Sequence, residues 1–169
     1  TEKPPSTLLP TASERVGRAR ADLRMGLPVV LSGAGMALAV LSAETGDDAR
    51  VAELRMAGRD PVAAITAWRA ETPKARAYDG DVAPVVLPSD ANATWLRDLA
   101  DPARDLLAPM KGPLQTVRTG EAGLHRLSLM LAKSAQLLPC VLAVSLEDGT
   151  AFAEAHALTH LTADATRDD

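Results

Sequence analysis

His125 and Arg126 stand side by side at the start of a long apolar run, Leu124 to Leu138. An imidazole at the N-terminal end of a helix can exchange protons near neutral pH, and a neighbouring guanidinium can hold an anion through paired donors. No Ser, Cys or Asp partners His125 in a recognisable local arrangement, so a nucleophilic triad is unsupported and a surface or satisfied histidine is the plainer account. His156 and His160 offer a second chemistry, because on one helix their spacing would present two ligands to a metal ion. Leu158-Thr159 ends such a helix before His160, and no third ligand is near, so this pair reads as surface. Ser32-Gly33-Ala34-Gly35 contains G-x-G but lacks the further glycine and the strand-to-helix context of a phosphate loop; a hairpin turn fits it better. Arg15, Arg18, Arg20 and Arg24 crowd one helix and describe a solvated face rather than a phosphate surface.

These residues need elements to position them. The organising stretch is Gly112 to Thr150. It holds a short strand-like run and then a helix with Leu124, Leu127, Leu131, Ala135 and Leu138 on one face. Leu129, Met130 and Leu137 make much of the remaining surface apolar, which predicts burial on more than one side. Pro139 is expected to end the helix. Cys140 to Leu146 (CVLAVSL) is a fully apolar strand, closed by the turn Glu147-Asp148-Gly149-Thr150.

Upstream, Thr1 to Pro10 is a loose arm. Thr11-Ala12-Ser13-Glu14 is a capping box, opening a helix to about Gly26 with Val16, Ala19, Leu23 and Leu27 inward. Pro28 to Leu31 and Met36 to Leu41 are two strands joined by the glycine turn. Thr45 to Ala57 is a helix facing Val51, Leu54 and Ala57 inward, and Val62 to Thr66 a strand. A short helix opens at Trp68 and stops near Pro73; Tyr78 to Asp81 is a turn. Val82 to Leu87 is an edge strand, since Pro84 cannot donate to a central ladder. Asn92 to Ala100 is a helix capped by Asp90 or Asn92, and Pro102 to Lys111 a loop. Ala151 to Ala157 and Leu158 to Thr162 close the chain as a helix and a strand. Alternating short apolar strands and helices make an α/β sandwich with a mixed sheet, one domain over residues 11–169.

Composition narrows the classes. Hydrophobic residues make up 47% and aromatics only 2%, so small aliphatic side chains fill the core around Trp68, Trp95, Tyr78 and Phe152. The net charge of −4 disfavours a sequence-independent nucleic-acid surface. The single Cys140 forms no internal disulfide and fits a reducing compartment; without an apolar N-terminal leader, the cytoplasm is the default.

The organising stretch resembles the C-terminal third of dihydroxybutanone phosphate synthase, a riboflavin-pathway enzyme. That family reads roughly G-H-V-F-P-L-R, then G-H-T-E-A-A-V-D-L-A-R-L-A-G-L-x-P, then an apolar strand and D-G-T. Gly112 and Arg118 match the first motif. Gly123, Leu131, Ala132, Lys133, Ala135, Leu137 and Pro139 match the second, and Asp148-Gly149-Thr150 the third. The scaffold positions agree and the chemical ones do not. The family's histidines fall on Pro113 and Leu124, its threonine on His125 and its glutamate on Arg126. Its acidic, metal-binding loop falls on Ser32 to Met36, which carries no charge. Gly58-Arg59 resembles the G-R-G motif, broken by Asp60-Pro61, and the reactive cysteine that follows has no counterpart at Val62 or Ala63. The H-G-V-T-T-G-I-S-A-x-D-R loop is largely deleted; its D-R pair falls on Ala91-Asn92.

The resemblance implies a degenerate synthase-like domain, a homodimer, with no metal or other cofactor and no catalytic residue of the family. It is most similar to the region preceding GTP cyclohydrolase II in bacterial fusion proteins, and LTADATRDD falls where those chains pass into their second domain. The chain has no cysteine cluster for the zinc of the cyclohydrolase itself. A scaffold or regulatory role beside GTP cyclohydrolase II follows, with neither nucleic acid nor membrane as partner. The alternative is an enzyme acting on a sugar phosphate such as ribulose 5-phosphate through an altered site, with Arg59, Arg118, His125 and Arg126 as candidate phosphate or ligand contacts.

Overall fold

A computed structural model describes residues 8–33, 35–66, 82–100 and 122–163. The N-terminal arm falls almost wholly outside them. So do the short helix from Trp68, the turn at Tyr78, the loop from Pro102 and the strand-like run that includes Arg118.

Helix α1 (Ala12–Arg24) begins at the expected capping box: the Thr11 N–H donates to Glu14 Oε1 (2.8 Å) and the Glu14 N–H to Thr11 Oγ1 (3.1 Å). The Glu14 carboxyl is held below its usual range, chiefly by the Thr11 backbone hydrogen bond. At the other end Gly26 takes φ +81°, and the Leu27 N–H reaches back to the Asp22 carbonyl (2.8 Å). That left-handed step turns the chain sharply into the sheet. Strands β1 (Val29–Gly33) and β2 (Met36–Ser42) then form the hairpin read from the glycine turn, with Gly33 opposite Met36.

Helix α2 (Asp48–Ala57) is capped by Asp47, which accepts from the Arg50 N–H at 2.8 Å. Val51 and Leu54 face inward, but Ala57 is exposed, because the helix ends there and the chain swings into the sheet. Strand β3 (Arg59–Thr66) starts earlier than expected. A bulge between Arg59 and Val62 admits Asp60 (φ 48°) and Pro61, which has no N–H to give a ladder. Strand β4 (Val82–Val86) lies at the sheet edge, as its proline requires. Helix α3 (Ala93–Ala100) is capped by Asn92, whose Oδ1 accepts from the Trp95 N–H (2.9 Å).

The long apolar helix is α4 (Ala122–Ser134). Pro139 does not end it. The helix closes one turn earlier, where Gln136 adopts φ 64° and the Leu137 N–H returns to the Ala132 carbonyl (2.9 Å). A non-glycine residue in this left-handed cap is strained. Gln136→Gly is therefore expected to raise stability by about 1 kcal/mol, read as a higher urea midpoint at unchanged slope. Met130 on the same helix is exposed, so α4 is buried on fewer sides than its composition predicts.

Strand β5 (Cys140–Leu146), helix α5 (Gly149–His156) and strand β6 (His160–Thr162) complete the order β4-β3-β5-β2-β1-β6. Among the described strands only β1 and β6 pair in parallel, so the sheet is mixed. Helices cover both faces. Val16, Leu23, Leu127 and Leu131 of α1 and α4 pack on Leu38, Val40 and Ala143, while Val51, Leu54, Leu96 and Ala153 of the other helices pack on Leu41, Leu142 and Val144. A strand covered on both faces gains from being apolar at every position, which is why β5 shows no alternation. Trp95 and Phe152 pack at the margin of this core, as expected for scarce aromatics. No helix among the described residues is long and apolar enough to cross a membrane.

Candidate functional site

Antiparallel pairing collects distant pieces of sequence at one end of the sheet. The β1–β2 turn, the end of β5 and the end of β6 meet there, with Ala37 opposite Leu146 and Ser32 opposite Thr162. The start of β3 lies at the same end, Arg59 opposite Ser145. Helix α4 begins there too: a Cβ placed on Gly33 would lie 3.4 Å from Leu124 Cδ2 and 2.9 Å from the Ala163 Cβ. Two segments far apart in sequence, the uncharged Ser32–Met36 turn and Leu124, thus come into contact.

Beside them is a cleft of about 470 Å³, lined among others by Ser32, Met36, Glu147, Asp148, Gly149 and Thr162. Helix α5 starts from its wall. Asp148 caps it, accepting from the Ala151 N–H at 3.0 Å. Gly149 allows that helix to approach closely, because a Cβ there would come within 2.8 Å of the Ala37 Cβ and 3.2 Å of Ser32 Oγ. This is the physical content of the Asp-Gly pair: one residue caps, the other leaves room. The helix begins two residues earlier than the expected turn allowed.

His125 sits inside α4 at 1% exposure. Burial pushes its imidazole down to about 4, so the ring is neutral at physiological pH. Its side chain is enclosed by protein and does not line the cleft. Arg126 is half-buried on the same helix, and Arg59 is exposed beside the β3 bulge. Arg118 lies outside the described residues. Among the described residues, Arg59 therefore stands at the cleft end of the sheet, while His125 and Arg126 lie on α4.

The two histidines spaced along the C-terminal segment diverge. His156 ends α5, with Nδ1 3.0 Å from the Phe152 carbonyl oxygen and Nε2 3.9 Å from Glu53 Oε2. His160 lies on β6, and its Nε2 is 2.6 Å from Ser32 Oγ. No local motif announces this Ser–His contact, since 128 residues separate the pair. Only the parallel pairing of β6 with β1 creates it.

No protein-family model and no curated protein matches this sequence. Solved structures do. A cation-free 3,4-dihydroxy-2-butanone 4-phosphate synthase superposes with a TM-score of 0.71 at 17% identity, covering 90% of this chain and 95% of that one. The fold is that of 3,4-dihydroxy-2-butanone 4-phosphate synthase. A synthase in complex with two magnesium ions gives a TM-score of 0.69 at 17% identity, over 89% of this chain and 94% of the other. RibBX, a two-domain 3,4-dihydroxy-2-butanone 4-phosphate synthase from A. baumannii, gives 0.67 at 16% identity; this chain spans 90% of its own length and 56% of that protein.

Magnesium wants several oxygen ligands at near-octahedral geometry. The described residues hold no group of three or more His, Cys, Asp or Glu side chains that could cage a metal ion. Tertiary structure does bring two carboxylates, Glu147 and Asp148, to the cleft beside the uncharged turn, which the linear reading of that turn did not provide. Asp148 already accepts the helix-capping hydrogen bond, and Leu124 presents only methyl groups to the turn. The synthase fold is retained here, and the described residues at this end present two carboxylates to the cleft, one of them engaged as a helix cap.

Proposed function

We propose that this chain is a riboflavin-biosynthesis-associated domain that keeps the synthase scaffold and has lost the synthase reaction. It acts as a dimerising scaffold or regulatory module, fused to or partnering GTP cyclohydrolase II. The observation that carries the reading is the contact between the Ser32–Met36 turn and Leu124. By the sequence resemblance, these are the positions of the family's acidic loop and of one of its histidines. Their proximity supports the equivalence of both positions, and neither offers a carboxylate or an imidazole. An enolising reaction needs a base and a group that stabilises the enediolate; at these two positions stand serine, glycine, alanine, methionine and leucine, none of them charged. The apolar core is meanwhile complete on both faces of the sheet, which is what a retained scaffold requires.

The test is incubation of the pure protein with ribulose 5-phosphate and magnesium, following formate by NMR, with light scattering in parallel. The expected result is a dimer that releases no formate. Formate at a useful rate would overturn the reading and direct attention to acidic ligands from a second subunit. A monomer would remove the dimerising role.

A further inference from the structure

The Ser32–His160 contact joins a hydroxyl to an imidazole between two cavities: Ser32 lines the cleft, and His160 lines a neighbouring one with Arg15 and Arg18. Ser32 Oγ lies 2.6 Å from His160 Nε2, and Ser32 also lines the cleft at the end of the sheet. Both residues are half-buried, so neither is sealed in the core. With the imidazole proton on Nδ1, Nε2 accepts from the hydroxyl, which is the arrangement that activates a serine for attack. The first turn of α5 adjoins the same hydroxyl at Gly149; the Ala151 amide is taken by Asp148, and those of Gly149 and Thr150 have no intrahelical acceptor. They are polar donors next to the point where a carbonyl oxygen would gain charge.

We propose that Ser32 and His160 form a nucleophile–base pair that cleaves small carboxylic esters bearing no negative charge. In the first step Oγ bonds to the ester carbonyl carbon while its proton passes to His160 Nε2. The tetrahedral adduct collapses, the ester C–O bond breaks, and the leaving alcohol takes the proton from Nε2. Water then attacks the acyl-serine, giving its proton to Nε2, and the carboxylic acid leaves as Oγ regains that proton. Glu147 and Asp148 on the cleft wall disfavour anionic substrates, while Met36, Ala37 and Leu146 accept an apolar acyl group. The activity is independent of the scaffold reading: formate release would sink that reading and leave this pair untouched.

Treatment of the pure full chain with a fluorophosphonate probe tests it. Oγ–P bond formation expels fluoride, the serine proton passes to His160, and the adduct is located by peptide mass spectrometry. A single adduct on Ser32 is expected. His160→Gln should slow labelling by about 100-fold or more, and Ser32→Ala should abolish both labelling and hydrolysis of p-nitrophenyl acetate. Melting curves confirm that each variant is folded. Absence of an adduct on the unmodified protein, an adduct elsewhere with Ser32 free, or labelling unchanged in a folded His160→Gln protein would each overturn the proposal. The first two outcomes need no variant at all.

Discussion

His125→Leu is expected to remove a large acid sensitivity from this protein. Burial lowers the imidazole to about 4 in the folded chain, from its usual 6.5. Above pH 6.5 the ring is neutral in both states and the linkage contributes nothing. As pH falls below 6.5 the unfolded chain takes up a proton that the folded chain refuses, so stability drops. Below about 4 the folded chain is protonated as well, and the loss levels off. The full loss amounts to about 3 kcal/mol. Leucine is close in volume and has no charged form, so the variant should match the parent near pH 7.5 and exceed it by that margin near pH 4. Urea titrations of both proteins from pH 7.5 to 4 measure it. Carboxylates that titrate in the same range affect both proteins alike, and the difference isolates the histidine. Parallel pH profiles for the two proteins would show that the ring is not held neutral by burial.

Gly58→Ala is expected to cost about 3 kcal/mol, and part of that cost should vanish when Val144 is shortened. Gly58 has extended backbone (φ −111°), so conformational freedom is not the reason for glycine here. The reason is space. A Cβ at Gly58 would lie 2.4 Å from Val144 Cγ2 and 2.6 Å from its Cβ, on the central strand β5. Val144 is fully buried, and truncating it to alanine alone should cost about 2 kcal/mol through the cavity it leaves. In the double variant the new methyl faces the space left by the Val144 methyl groups. Its total cost should then be about 4 kcal/mol rather than about 5, a favourable coupling of about 1. The Cβ at position 144, 2.6 Å away and kept by alanine, and the Ser145 carbonyl oxygen at 3.0 Å keep the rescue partial. Chemical denaturation of the four proteins closes the cycle; additive costs would place the strain somewhere other than this contact.

The same glycine shows how a motif residue can serve packing. Gly58-Arg59 was legible as part of a synthase-like pattern, and its glycine has a packing duty that does not depend on catalysis. Gly149 is similar, since it admits α5 against Ala37 and Ser32. Residues of this kind hold the sheet and helices together, and the turn at Ser32–Met36 and position 124 carry none of the carboxylates or histidines of the resembled motifs.

The sequence by itself determined the local elements and the layer architecture. Helix caps at Thr11 and Asn92, the glycine hairpin, the edge strand with Pro84 and the apolar β5 all follow from interactions within a few residues, which the linear order preserves. It erred where a distant contact competes with a local signal. Gln136 rather than Pro139 sets the end of α4, and the bulge at Asp60-Pro61 extends β3 beyond its periodic part. Tertiary structure alone decided what meets at the cleft. Enclosure of His125 depends on layers packed from several elements, and the Ser32–His160 contact depends on a strand pairing across 128 residues. Burial and cross-strand proximity are properties of chain closure in three dimensions, and no spacing along the chain encodes them directly.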